Sequence, residues 1–341
     1  MPDSQLNGAE RPLQHSFMKS VVFNGLIMAV AIGLIALLIR AMPDRRAISP
    51  ASMPLTYRPI ELASAGGPLR LAGAWEMEVG DRRFGGLSSL AADNGKFLSI
   101  SDRGVVVRFD PPDSVKPEVR LSDLREGPGP FGKKSSRDAE SLVRDWRGRG
   151  WWIGFEQRHS LWLYDRNLQH ALENVDLRRS NWRDNSGAEG LTFADGALLV
   201  LGEDGRDAFR IESSGPRPLK LHAGAEVADA ARAPDGTSWV LLRQPGLSGI
   251  VQSVAPLLRT HDGWMTGTAS PLPPLPFDNF EGMAIVARPD GRWRFWLVND
   301  NDYRSVARTL LVALDLESPV SHDKSPAQGA GLSKKPPVEV P

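Results

Sequence analysis

The chain contains no cysteine. That excludes a disulfide framework, thiolate-bound zinc, an iron–sulfur cluster and a thiol nucleophile, while leaving the compartment open. Net charge is also absent: 41 Lys and Arg balance 41 Asp and Glu, so no broad positive field draws the protein to nucleic acid, and no such partner is expected. Histidine is scarce. The six, at positions 15, 159, 170, 222, 261 and 322, have no metal-helix spacing, and a G-x-S-x-G nucleophile elbow is missing. Gly127-Pro128-Gly129-Pro130-Phe131-Gly132-Lys133 opens like a P-loop, but Lys134 stands where a magnesium-binding Ser or Thr is required, and the prolines remove cradle N–H groups. It reads as a flexible loop. Asp300-Asn301-Asp302 opens like an EF-hand loop that lacks the glycine and the distal glutamate.

What is present begins with one apolar run. Val21 to Ile39 is uncharged, interrupted only by Asn24 and two glycines, and at ~1.5 Å per residue it reaches across a bilayer as a helix. No small-x-small cleavage pattern follows in Leu38-Ile39-Arg40-Ala41-Met42-Pro43, so the run is expected to stay attached as a signal anchor, giving the protein one N-terminal transmembrane helix. Arg11 and Lys19 precede it and Arg40, Arg45 and Arg46 follow it. This faint bias toward a cytoplasmic C-terminal side leaves orientation open. The expected organisation is residues 1–40 as tail and anchor, a proline-stiffened linker over 41–60, a folded domain over 61–317, and a Pro, Ser, Lys and Gly-rich tail over 318–341 that cannot order itself.

Within the domain, helical periodicity is rare and short apolar runs recur, separated by Gly and Asp. Five copies share one pattern of polar residue, apolar run, Gly-containing turn, apolar run and closing polar residue. They lead with Ser88, Glu140, Glu189, Asp229 and Glu281 and close with Asp102, Glu156, Glu203, Arg243 and Asp300. The leaders are 52, 49, 40 and 52 positions apart, the spacing of propeller blades of four short strands. Asp-Gly between apolar runs predicts type I′ hairpins, with positive φ at both central residues. The fold expected is all-β, a β-propeller. Six blades are expected, the sixth from residues 61–84 around Trp75-Glu76-Met77-Glu78-Val79, joined by a C-terminal strand. A β-sandwich or two stacked barrels is the alternative. The ten tryptophans are expected mostly in the core.

Inner strands of a propeller line its channel, so the repeated polar residues should converge. Glu140, Glu189, Asp229 and Glu281 would then share one level, with Asp102, Glu156, Glu203 and Asp300 beside them. Like charges so close raise one another's pKa or take a counter-cation, and hard oxygen ligands suit Ca²⁺ or Mg²⁺. Arg103 and Arg243 offer partial neutralisation, or bidentate contact to an anionic small-molecule substrate. His159 is the one histidine placed near the ring and is the third candidate for substrate binding.

At these segments the chain resembles the phytase-like (esterase-like activity of phytase) family. The residues carrying the likeness are Gly86-Leu87-Ser88-Ser89-Leu90 with Ser101-Asp102-Arg103-Gly104, Asp138-Ala139-Glu140-Ser141-Leu142 with Glu156, Ala188-Glu189-Gly190-Leu191 with Glu203, and Asn279-Phe280-Glu281-Gly282-Met283 with Asn299-Asp300-Asn301. The resemblance implies a domain exported beyond the inner membrane of a bacterium, here tethered by one membrane helix and facing the periplasm. It also implies similarity to enzymes that hydrolyse phosphate esters with bridging Ca²⁺, with Asp102, Glu140, Glu156, Glu189, Glu203, Glu281 and Asp300 as ligands. Glu189, Glu140 and Glu281 are the catalytic candidates, water on a cation being the nucleophile and an unligated glutamate the base. Few lysines fall in the motifs, and the fourth copy closes in Arg243 instead of an acid. A non-catalytic envelope-binding propeller and a lactonase-type propeller remain as alternatives.

Overall fold

The computed structural model describes residues 49–317, apart from 65, 181, 184–185, 247–248, 276–278 and 304–306. Three strands come first: β1 (Ala51–Pro54), β2 (Thr56–Pro59) and β3 (Leu69–Glu78). The first blade follows as β4 (Ala91–Asp93), β5 (Lys96–Ile100), β6 (Val105–Phe109) and β7 (Glu118–Asp123). A one-turn helix α1 (Lys134–Arg137) leads into the second, β8 (Ala139–Arg144), β9 (Gly150–Phe155), β10 (Ser160–Asp165) and β11 (Ala171–Asp176). The third is β12 (Ala188–Ala194), β13 (Ala197–Gly202), β14 (Asp207–Glu212) and β15 (Gly215–His222). The fourth is β16 (Glu226–Arg232), β17 (Ser238–Gly246), β18 (Gly249–Arg259) and β19 (Gly263–Thr266), with β20 (Ser270–Pro271) added against β18. Last come β21 (Phe280–Ala287), β22 (Trp293–Asn299) and β23 (Leu310–Leu316).

The fifth blade takes its fourth strand from the other end of the described chain. β3 pairs antiparallel with β23 from Leu310↔Glu76 to Leu316↔Leu69. Trp75 therefore stacks on Trp296 at 6.0 Å between ring centroids instead of founding a sixth blade. The first strands β4, β8, β12, β16 and β21 pack each on the next, and β21 returns to β4. Five blades close the circle, not the six expected, because residues 61–84 complete a blade already begun. Closing the ring with chain from both ends buries the apolar faces of the first and last blades together, with Trp75, Trp296, Phe97 and Phe109 in one cluster.

The stretch expected to act as a linker is extended but engaged. β1 pairs with the first blade's β7 and β2 with β3, and Leu55 between them is buried. The prolines fit because both are edge strands, where a missing N–H costs no ladder bond. At Asn94-Gly95 and Asp195-Gly196 both residues have positive φ, the mirror-image turn expected. At Asp235-Gly236 and Asp290-Gly291 only the glycine does, so those hairpins turn through longer loops. Trp151, Trp152 and Trp239 are core residues, whereas Trp146 is exposed.

No helix among the described residues is long and apolar enough to cross a membrane. The apolar run 21–39 and the tail 318–341 lie outside the described residues.

Candidate metal centre at the mouth of the axis

Four blades carry an irregularity at the same place on the inner strand. Ala139 faces Phe155 and Ser141 faces Gly154, leaving Glu140 without a partner. The same skip leaves out Glu189 in β12 and Glu281 in β21. A β-bulge of this kind re-aims a side chain that strict alternation would direct elsewhere, and here it brings three glutamates to the mouth of the axis.

In the fourth blade the skipped residue is Ala228, not Asp229. The turn there is longer, so an unchanged spacing to the closing residue put the acid one position late. Asp229 instead matches Ser141, Gly190 and Gly282. It lies deeper, 1% exposed, and accepts N–H bonds from Ala230 and from Met283 of the next blade, each at 2.7 Å. Burial pushes its carboxyl well up, against the pull of those N–H groups. Asp229 joins blades; it is not part of the acidic ring.

The closing residues do align. Phe155, Gly202, Leu242 and Asn299 each pair with the residue before the bulge position of their blade, and Ser101 of the first blade pairs with Leu87. Asp102, Glu156, Glu203, Arg243 and Asp300 follow them at one level. Two acid groups form there: Asp138, Glu140 and Glu156, and Glu156, Glu189 and Glu203, with carboxylate oxygens within 4.8 Å of one another in each. Glu156 belongs to both. Asp138 was not singled out from the sequence, because the residues at its position in the other copies are Gly86, Gly187, Glu226 and Asn279, which show no regularity.

Glu140, Glu156, Glu189, Glu281 and Asp300 are held above their ordinary range. Burial, then Glu189 and Asp138, raise Glu140; burial, then Glu281 and Glu203, raise Glu189. Burial and Asp138 push Glu156 up to about 8, and burial pushes Glu281 to about 7 despite Arg243. Asp300 is pushed to about 6 by burial and Asp102. Oδ1 of Asp138 and Oδ1 of Asp102 are buried with no hydrogen-bond partner, on side chains that are 4% exposed. Buried acceptors left so are costly unless a ligand serves them. The donor set is carboxylate oxygen alone, with acids bunched and one of them shared, which fits Ca²⁺ or Mg²⁺ and does not favour softer metals.

Arg243 donates to Glu281 at 2.6 Å, to Glu226 at 3.2 Å and to Glu203, the partial neutralisation expected of it, using three of its five N–H donors. Arg103 is exposed, its guanidinium 4.0 Å above the Tyr303 ring. His159 is buried in the turn after Glu156, its ring edge-on to Trp182. Lys134, a residue the motif search passed over, places Nζ 2.5 Å from Asp102 and 3.8 Å from Asp138. It is carried there by α1, and the loop before α1 is pinned: buried Arg137 donates to the carbonyls of Pro128 and Arg125. That loop is braced, where the sequence suggested flexibility.

Beside the acids opens a cleft of ≈ 500 Å³ lined by Arg243, Glu281, Asp300, Asn279, Pro245 and Ile250. A second hollow of ≈ 840 Å³ shares Glu226, Arg243, Gln244 and Pro245 with it. The β17–β18 hairpin borders both.

Five blades and an acidic mouth define a propeller whose carboxylates gather at one end of its axis. Residues 82–303 match the family described as phytase-like, esterase-like activity of phytase, and the chain belongs to that family. Comparison with curated proteins gives no match. Among solved structures, Myxococcus xanthus glutaminyl cyclase is similar at 14% identity and a TM-score of 0.45, covering 73% of this chain and 97% of that one. The Pan2 WD40 domain of Neurospora crassa is similar at 8% identity and 0.39, covering 71% and 92%. Hydrazine synthase of Kuenenia stuttgartiensis is similar at 13% and 0.35, over 65% of this chain and 58% of that one.

Proposed function

We propose that this protein is a divalent-cation-dependent hydrolase of phosphate or other esters, tethered by its N-terminal apolar segment to a bacterial inner membrane with the propeller in the periplasm. The observation that supports the chemistry is the pair of carboxylate groups sharing Glu156, with Oδ1 of Asp138 buried inside one of them without a hydrogen bond, 3.8 Å from Lys134 Nζ. Asp138, Glu140, Glu156, Glu189 and Glu203 are the residues that would hold Ca²⁺. Bound there, the ion supplies positive charge to an ester oxygen and acidifies water. Glu281, pushed to about 7 and lining the cleft, is matched to take a proton near neutral pH. Asp300 and Asn279 line the same cleft and orient the ester beside it.

Charge narrows the substrate. The acids of the mouth outnumber Arg243, Lys134 and Arg103, and the first two are spent on carboxylates. Pro245 and Ile250 add an apolar wall. An ester with few negative charges and an apolar portion fits better than a polyphosphate.

Calorimetric titration of the full chain with Ca²⁺, wild type against Glu156→Gln, tests the reading, followed by hydrolysis of a panel of p-nitrophenyl phosphates and carboxylates. Binding by wild type that falls at least tenfold in the variant, with matching loss of turnover, is the expected result. Absence of binding in wild type would overturn it and leave a non-catalytic interaction propeller.

A further inference from the structure

The fourth blade departs from the acidic pattern twice: Ala228 holds the bulge position and Arg243 the closing one. The arginine reaches across three blades. Nη1 donates to Glu281 of the fifth, Nη2 to Glu203 of the third and Nε to Glu226 of its own blade. Its side chain is only 20% exposed. A guanidinium is always charged and presents its donors in a rigid fork, so it neutralises acids from neighbouring blades and fixes their separation, which is what a divalent ion does in an oxygen cage. Glu203 is the meeting point, because it also belongs to the group with Glu156 and Glu189.

We propose that Arg243 is a resident cation holding the place of a metal ion between the third, fourth and fifth blades. Exchangeable divalent ions are thereby confined to the side of the second and third blades. The inference rests on the acidic mouth being a cation site. It has a further consequence: an ion bound by Glu156, Glu189 and Glu203 must share Glu203 with the arginine. The Asp138, Glu140 and Glu156 position has no arginine to share with; the cation beside it is Lys134, with Nζ 3.8 Å from Asp138. Arg243 acts through the acids it holds and is a positioning residue.

Calcium stoichiometry reads this directly. By calorimetry on the full chain, Arg243→Met should bind one more Ca²⁺ than wild type, and its melting temperature should climb more steeply with added Ca²⁺. Arg243→Lys, which keeps a charge at the position, should keep the wild-type stoichiometry. A folded Arg243→Met with wild-type stoichiometry overturns the proposal. The underlying reading fails separately: if wild type binds no Ca²⁺ and Arg243→Met binds one, the resident cation stands and the hydrolase reading does not, and if neither binds, both fall. Should Arg243→Met not fold, Arg243→Met combined with Glu203→Gln and Glu281→Gln removes cation and acids together. Recovery of a cooperative melt in that triple variant supports the proposal, and continued failure to fold assigns Arg243 to packing and overturns it.

Discussion

Asp229 and Glu189 are both buried acids on inner strands, yet their substitution should have opposite consequences. Asp229 accepts two backbone N–H groups, one from another blade; Asp229→Ala leaves those donors unserved in a closed space and should cost about 2–4 kcal/mol in urea denaturation, with cation binding retained where the protein folds. Glu189 faces Glu156 and Glu203. Glu189→Gln removes a repulsive charge, so it should leave stability equal or raised while Ca²⁺ affinity and turnover fall. The same comparison marks the limit of the sequence at this scale. Its repeat aligned Arg243 with the acids and so found the odd residue out, but not that three carboxylates would occupy it. Lys134 and Asp138 were hidden because neither belongs to the repeated hairpin.

Titration of the mouth gives a prediction with a definite sign. Glu156 and Glu281 stand at about 8 and about 7 against an ordinary 4.5, and Asp300 at about 6 against 3.8. The folded state therefore binds more protons than the unfolded chain between these limits, and stability falls as pH rises through them. In chelator, the melting temperature should drop from about pH 5 to about pH 8.5. Arginine-paired acids such as Asp145, held below their ordinary value, act only at lower pH and do not mask this. Saturating Ca²⁺ should flatten the slope, since an ion replaces the protons. A melting temperature that rises with pH in chelator would contradict the assignment.

At the scale of the element, the bulges decide where chemistry can occur. Gly-containing turns and apolar runs made each hairpin visible in sequence, because their signals are local. A bulge is not local. It depends on which residues two strands offer each other, so the step that separates Ala228 from Glu189 was not legible. Close packing beside the bulges supplies a test. A Cβ on Gly154 would lie 2.3 Å from Ser141 Oγ and 2.8 Å from the Ala188 carbonyl, at the contact between the second and third blades. Gly154→Ala should destabilise by roughly 1–3 kcal/mol and, by spreading Glu140 from Glu189, weaken Ca²⁺ binding as well. Gly196→Ala, at a turn with nothing within 4 Å, has no neighbouring atoms to displace and should leave Ca²⁺ binding unchanged.

For the whole molecule, closure is the deciding event. Five repeats announced a propeller, but the blade count hinged on whether Trp75 to Val79 started a new unit or finished an old one, and hairpin periodicity says nothing about which distant strand completes a sheet. Once β3 is seen against β23, the N-terminal strands become the seam of the circle: β2 extends the fifth blade, β1 extends the first, and Leu55 is buried between them. A chain starting at residue 81 would lose all three strands, expose the β23 edge and open the cluster around Trp296 and Phe97. Unpaired backbone and uncovered aromatic surface together exceed the margin by which a domain is stable. Such a chain should lose its cooperative urea transition, while one starting at residue 49 should keep it with Ca²⁺ binding intact. Cooperative unfolding of the shorter chain would mean that the blades hold the acidic mouth together without a closed circle.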